Sequence, residues 1–252
     1  MTLRNLPEWQ ALAAHQNELA DTNLRELFAD DPERSERLTV QVGDLRVDFS
    51  KHVVTEATTA LLARLADATG FDERRQAMFA GARINTTEDR SVLHTALRAD
   101  GPVVVDGEDV VPAVKAVLAK MAGVADLVRS GAWRGATGKP IRAVVNIGIG
   151  GSDLGPRFIC DALSTPEAPL RAHFVANIDP EDLDRTVGTL DPSRTLFVMC
   201  SKSFTTEETL SNADRAKAWL QAAGLPPHRL GQHFIAVTTQ VNRAQQWGIP
   251  AE

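Results

Sequence analysis

The run Val144-Val145-Asn146-Ile147-Gly148-Ile149-Gly150-Gly151-Ser152-Asp153-Leu154-Gly155-Pro156 decides the fold of this chain. It continues an apolar segment that begins at Ile141 and is rich in β-branched residues, the composition of a fully buried parallel strand. Three glycines then fall within four positions, followed by Ser152 and Asp153. After Pro156 the apolar residues Phe158, Ile159, Ala162 and Leu163 adopt a helical spacing. The order is therefore strand, glycine turn, helix. Glycine lets a ligand approach the main chain closely, and the free N–H groups at a helix start favour an anion, usually a phosphate. Two familiar phosphate loops are excluded. The dinucleotide fingerprint needs glycine where Asp153 stands, and the Walker pattern needs Lys and Ser/Thr where Pro156 and Arg157 stand. A sharp structural turn with no ligand has the same spacing, so the motif alone leaves both readings open.

A second stretch adds to the first. Arg194-Thr195-Leu196-Phe197-Val198-Met199-Cys200 reads as another buried strand, and it runs into Ser201-Lys202-Ser203-Phe204-Thr205-Thr206-Glu207-Glu208-Thr209. Five hydroxyls and one lysine occupy these nine residues. Capping a helix needs one or two hydroxyls, so a polar helix start does not account for them all. Thr205 and Glu208 have the spacing of a capping box. Two such loops at the carboxyl ends of parallel strands face one crevice, the place where open α/β sheets bind ligands.

These two stretches, with Gly81-Ala82-Arg83-Ile84-Asn85-Thr86-Thr87-Glu88-Asp89-Arg90-Ser91-Val92-Leu93-His94-Thr95-Ala96-Leu97-Arg98, resemble the glucose-6-phosphate isomerase family. All three motifs occur in the family's order, and the resemblance covers nearly the whole chain. The family's chain is about twice as long, so the resemblance is to its amino-terminal half. It implies an α/β fold: a three-layer sandwich SIS (sugar isomerase) domain with a central parallel sheet, preceded by a mostly helical extension.

Composition agrees with a globular protein. The chain has 252 residues, 43% hydrophobic and 24% charged, ordinary values for a folded domain. Its net charge is −6 with no basic block, which argues against a nucleic-acid partner. No apolar run is long enough to span a bilayer, and residues 1–9 lack the charged and apolar regions of a signal peptide. Cys160 and Cys200 form no metal or redox pattern and are expected to be small buried hydrophobes in a reducing cytoplasm. Tyrosine is absent, so none serves as acid or base. No metal and no cofactor is expected.

Along the chain, residues 7–29 read as one helix, and 38–49 as a hairpin turning at Gly43-Asp44. Residues 56–69 read as a helix with Leu61, Leu62 and Leu65 inward. Asn85, Thr86 and Thr87 are candidate caps for a following helix. His94 is the one residue of the Gly81–Arg98 stretch with obvious acid–base capacity; it is read as a structural hydrogen-bonder, and no chemical role is assigned to it. A second hairpin turns at Asp106-Gly107, and a helix follows over 112–130. The glycine- and proline-rich segment 131–140 is the expected boundary, dividing an extension (1–135) from the α/β domain (136–252). There strands are expected near 142–147, 171–176, 194–199 and 233–238, and helices near 153–164, 180–188 and 206–223. Asp179-Pro180-Glu181-Asp182 is a helix start with cap, N1 proline and first-turn acids.

The resemblance assigns roles residue by residue. Ser201, Ser203 and Thr206 match the family's phosphate-binding positions, with Lys202 near them or reaching solvent. Gly151 and Ser152 match the sugar-contacting loop. Aldose–ketose isomerisation needs ring opening, a base for the C2 proton, and stabilisation of an enediol. The family's base glutamate, ring-opening histidine and lysine, and arginine all match a second SIS domain outside this chain. Glu208 either supports catalysis by orienting the ring-opening histidine or serves only as the capping partner of Thr205. The resemblance also implies a sugar phosphate substrate and a homodimer of the full-length protein. The alternative is a non-catalytic phosphosugar-binding regulator built on an SIS domain.

Overall fold

A computed structural model describes residues 2–165 and 167–250. The chain forms two compact units, Met1–Ala116 and Val117–Glu252. The division falls inside one helix, ahead of the 131–140 segment that the sequence marks as the boundary.

The first unit is made of short elements. Helices α1 (Pro7–Glu18) and α2 (Leu24–Asp30) replace the single helix expected over 7–29. The break has a local cause. Asn23 Oδ1 accepts the Glu26 N–H at 3.1 Å, and the Glu26 carboxylate accepts the Asn23 N–H, so a capping box restarts the helix. After α3 (Arg34–Arg37) come β1 (Thr39–Val42) and β2 (Leu45–Asp48), antiparallel with Val42 opposite Leu45, as the Gly43-Asp44 turn requires. Arg34 is buried and donates to the carbonyls of Ser50, His52 and Val54 at 2.7–2.8 Å, which holds the segment after the hairpin. Helix α4 (Glu56–Ala68) follows; Leu61 and Leu65 are half-buried, but Leu62 is exposed, contrary to expectation. Helix α5 (Phe71–Phe79) was not legible in the sequence. Asn85 caps no helix. It pairs with Arg90 across a tight loop, where its Oδ1 accepts from Thr87 Oγ1. The strands β3 (Val104–Val105) and β4 (Glu108–Asp109) form the second expected hairpin.

Helix α6 (Val111–Arg129), whose larger part belongs to the second unit, leads to β5 (Ala143–Ile147), α7 (Leu154–Leu163), β6 (Arg171–Val175), α8 (Pro180–Val187), β7 (Thr195–Cys200), α9 (Glu207–Ala222), β8 (Phe234–Val237) and α10 (Val241–Trp247). The four strands are all parallel, in the order β6-β5-β7-β8. Helices cover both faces. Side chains of one parity (Val145, Ile147, Val175, Phe197, Met199, Phe234) pack with Leu183 and Val187 of α8, Ala213 and Leu220 of α9, and Ala244 of α10. The opposite parity (Val144, Leu196, Ile235) packs with Val128 of α6 and Ile141. The two-residue strand period thus sorts one apolar run into two cores. Helix α7 is attached on that second side by Arg157, stacked over the Phe174 ring at 4.9 Å. Its apolar residues Leu154, Phe158, Ile159 and Leu163 are exposed.

His233 ties the unit together. It is completely buried; Nδ1 lies 2.6 Å from the Thr195 carbonyl and Nε2 accepts the Ala136 N–H at 2.8 Å. Those partners require the neutral ring with the proton on Nδ1. Burial pushes its pKa below 6.5, against a smaller opposing effect of the Thr195 carbonyl. The unfolded chain then takes up this proton at a higher pH than the folded one. Stability attributable to His233 is therefore complete above about pH 6.5 and falls as pH drops below that value. Urea midpoints at about pH 7.5 and pH 5 should show this loss, and His233→Gln should reduce the difference. An unchanged difference would place the acid sensitivity elsewhere.

Candidate functional site

Chain order and strand order together place the crevice. From β5 the chain crosses to β6 on one side, then returns to β7 on the other. The carboxyl ends of β5 and β7 are therefore the topological switch point of the sheet. The glycine loop leaves β5 and the hydroxyl loop leaves β7 at this same point. Ile147 stands opposite Met199 in the ladder.

The glycine loop is a short 3-10 turn, Gly150–Ser152, followed by α7. Its glycines do different jobs. A Cβ on Gly148 would lie 2.6 Å from the Ser152 carbonyl oxygen and 3.1 Å from the Cys200 Cβ, so close packing requires glycine there. Gly150 has φ +57°, a left-handed conformation suited to glycine. Gly151 is under neither constraint: its φ is ordinary and a Cβ would meet nothing within 4 Å. Packing and turn geometry therefore leave the space over Gly151 open to a ligand. Asn146 Nδ2 donates to the Ser152 carbonyl at 3.0 Å, and Asn146 Oδ1 accepts from the Cys200 thiol at 3.1 Å. Asn146 thus ties the glycine loop to the end of β7, where the hydroxyl loop begins. Ser152 itself is half-buried. Asp153 is buried and neutralised by a two-point pair with Arg157 at 2.9 and 3.2 Å. Burial pushes the Cys200 thiol up to about 11, so it stays protonated near neutrality.

In the hydroxyl loop the side chains pair with each other. Ser201 Oγ and Thr206 Oγ1 are 3.0 Å apart, and Ser203 Oγ and Thr205 Oγ1 are 2.7 Å apart. Two hydroxyls sharing one hydrogen bond leave one O–H free to donate. Each pair therefore retains a donor for an acceptor in the crevice. Thr206 is the N-cap of α9, yet its side chain makes no capping bond among the described residues, so the first amides of α9 are not satisfied by it. This arrangement suits an anion. The loop is held in a tense shape: Phe204 is buried and sits at φ +51°, where a bulky residue is an outlier.

Lys202 is exposed. Its carbonyl, rather than its ammonium, is fixed, accepting from Thr238 Oγ1 at 3.1 Å and Thr239 Oγ1 at 2.9 Å. Those two threonines close the loop from the end of β8. Sequence reasoning missed them, although a Thr-Thr pair after the fourth expected strand was a visible signal. The Thr205–Glu208 capping box does not form. Thr205 is committed to Ser203, the cap is Thr206, and Glu208 is one position too near the cap. Glu208 is half-buried in the first turn of α9, and its capping role is thereby removed. His94 is exposed in the first unit, in the short 3-10 segment His94–Arg98.

The family model for phosphoglucose isomerase matches residues 48–252. The chain belongs to the phosphoglucose isomerase family. It is 54% identical to a glucose-6-phosphate isomerase of Streptomyces griseus, over 98% of this chain and 46% of that protein. It is 52% identical to the Mycobacterium tuberculosis glucose-6-phosphate isomerase, over 96% of this chain and 44% of that protein. Among solved structures, a glucose-6-phosphate isomerase from Chlamydia trachomatis superposes with TM-score 0.73 at 26% identity, covering 99% of this chain and 46% of that one. The chain thus spans about half the length of the phosphoglucose isomerase relatives it matches. The match begins at residue 48, ahead of the glycine and hydroxyl loops and of the Gly81–Arg98 stretch. No helix among the described residues is long and apolar enough to cross a membrane.

Proposed function

We propose that this chain is the phosphate- and sugar-holding half of a glucose-6-phosphate isomerase, which interconverts glucose 6-phosphate and fructose 6-phosphate through an enediol. The observation that carries the proposal is the switch-point crevice. There, the hydroxyl loop, with its two hydroxyl pairs and a helix start that Thr206 leaves uncapped, and the glycine loop, with open space over Gly151, leave the adjacent strands β7 and β5. Ser201, Ser203 and Thr206 hold the phosphate, with Lys202 supplying diffuse positive charge from an exposed position. Gly151 and Ser152 border the sugar. Glu208, free of a capping duty, orients the ring-opening histidine. The extension 1–135 and the SIS domain 136–252 are completed by a second SIS domain that carries the base, the ring-opening pair and the arginine. The assembled enzyme works as a cytoplasmic homodimer on a sugar phosphate.

The test is a coupled assay in which fructose 6-phosphate is supplied and glucose 6-phosphate is detected by its dehydrogenase. A protein limited to these 252 residues is expected to bind sugar phosphate weakly. Its turnover should be at least about 10²–10⁴-fold below that of full-length relatives, the usual cost of losing a general base. Turnover equal to theirs, and absent in a Ser201→Ala/Thr206→Ala control prepared alike, would overturn the division of labour.

A further inference from the structure

The opposite end of the same sheet holds a group of charges for which the switch-point site has no use. At the amino-terminal ends of three adjacent strands stand Arg171, Arg142 and Arg194. Their backbones are directly linked: Arg142 N–H donates to the Arg194 carbonyl at 2.8 Å, and Arg171 N–H donates to the Arg142 carbonyl at 3.1 Å. By continuation of the β5–β7 register Arg142 and Arg194 stand level with each other, an arrangement of like charges that costs stability, and Arg171 is one residue further along, opposite Ala143. Among the described residues the only ion pair in this group is Arg194 with Asp191, at 3.6 Å. Asp191 is further engaged, accepting from the Ser193 amide at 2.9 Å and the Ser193 hydroxyl at 2.6 Å. Three guanidinium charges against one carboxylate leave two positive charges. All four residues line a cavity of about 330 Å³. His173 lines it too, and its Nε2 is buried with no hydrogen-bond partner. An orphaned ring nitrogen beside unpaired guanidinium groups calls for an acceptor that carries negative charge.

We propose that this cavity is an anion site for a phosphate-type dianion, held by Arg142, Arg171 and Arg194 and by the Nε2–H of His173. It lies a strand length, about 16 Å, from the glycine and hydroxyl loops, and at the other end of the ladder. It is therefore separate from the proposed substrate phosphate position. A bound dianion offsets the repulsion between Arg142 and Arg194 and supplies the missing partner of His173. Burial, and secondarily the charge of Arg171, hold the His173 imidazole below its ordinary pKa. The charged groups that share its cavity are Arg142, Arg171, Arg194 and Asp191, so a dianion entering among them raises the ring's proton affinity.

The experiment is NMR of the His173 ring during titration of the protein with inorganic phosphate, against chloride at matched ionic strength. The expected result is a saturable shift with phosphate and none with chloride. Arg142→Gln/Arg171→Gln should weaken the apparent affinity by about tenfold or more. Arg171→Gln alone, at an exposed position on an edge strand, keeps the test available if the double variant does not fold. Ser201→Ala/Thr206→Ala should leave the His173 response unchanged, which separates this site from the substrate loop. A second titration with glucose 6-phosphate decides the source. An equal shift extends the site to phosphate esters, and no shift restricts it to the free ion. The proposal fails if phosphate gives no saturable shift, if the arginine variants retain full affinity, or if the response vanishes with the Ser201/Thr206 change.

Discussion

Replacing Ser201 and Thr206 together by alanine should weaken sugar phosphate binding by between about tenfold and a hundredfold while leaving the fold intact. The magnitude follows from the geometry. The two hydroxyls share one hydrogen bond at 3.0 Å, so the pair presents one O–H to the crevice. A hydrogen bond to a charged acceptor contributes about 1.5–3 kcal/mol, and tenfold in affinity is about 1.4 kcal/mol. The shared bond also polarises the free O–H and strengthens its donation. Calorimetry with fructose 6-phosphate measures the effect, and urea unfolding checks the fold. Either single change breaks the pair but leaves one hydroxyl free to donate, so each should cost less than half of the double change in free energy. Two single effects that add up to the double one would show independent contacts and remove the pair from the account. Affinity unchanged in the double variant would move the phosphate away from this loop.

Gly148→Ala and Gly151→Val should separate folding from binding. At Gly148 the smallest side chain already places Cβ 2.6 Å from a backbone oxygen and 2.9 Å from the Ser152 Cβ. The backbone must shift, and overpacking of this kind costs about 1–3 kcal/mol. The shift also displaces Ser152 and strains the Asn146 bond that holds the glycine loop. Gly148→Ala should therefore lower the urea midpoint and the affinity together. Gly151→Val adds a side chain where nothing lies within 4 Å. Its unfolding midpoint should stay close to that of the parent, and its affinity should fall by about tenfold or more because the branched side chain occupies the ligand's space. Full affinity in Gly151→Val would show that the open space is not used.

The parallel half of the fold was legible because its signals are local and repeated. Each buried strand is an apolar run followed by turn chemistry, and each predicted end lies within a residue or so of the observed one. Asp179 caps α8 as its sequence requires, its side chain accepting the Glu181 N–H at 3.0 Å. The misses have physical reasons. In α1–α2 the apolar residues Leu19, Leu27 and Phe28 on either side of the break suggest one helix, but Asn23 and Glu26 satisfy the backbone by restarting it. In α5 the charged residues Asp72, Glu73, Arg74 and Arg75 hide any apolar face. Helix α10 is only seven residues long; it is held by Trp247, which meets the Phe234 ring edge-on at 4.9 Å, a contact between distant residues. Of the candidate site, the hydroxyl residues were legible as a cluster. Their pairing was not, because it depends on the left-handed turn at Phe204, a conformation that its residue type argues against. The arginine row was not legible because Arg142, Arg171 and Arg194 become neighbours only through the strand order.

Asn146, buried near the end of β5, holds the glycine loop with its amide nitrogen and accepts from the Cys200 thiol at the end of β7 with its oxygen. The thiol is thereby coupled to the position of a loop more than forty residues earlier in the chain. Alkylating reagents attack the thiolate, which the high proton affinity of Cys200 keeps scarce. Any movement of the glycine loop that loosens Asn146 also removes the acceptor of this thiol. The protein thus carries its own chemical gauge: the rate at which Cys200 is alkylated records how firmly the loop is seated, with no label introduced into the crevice.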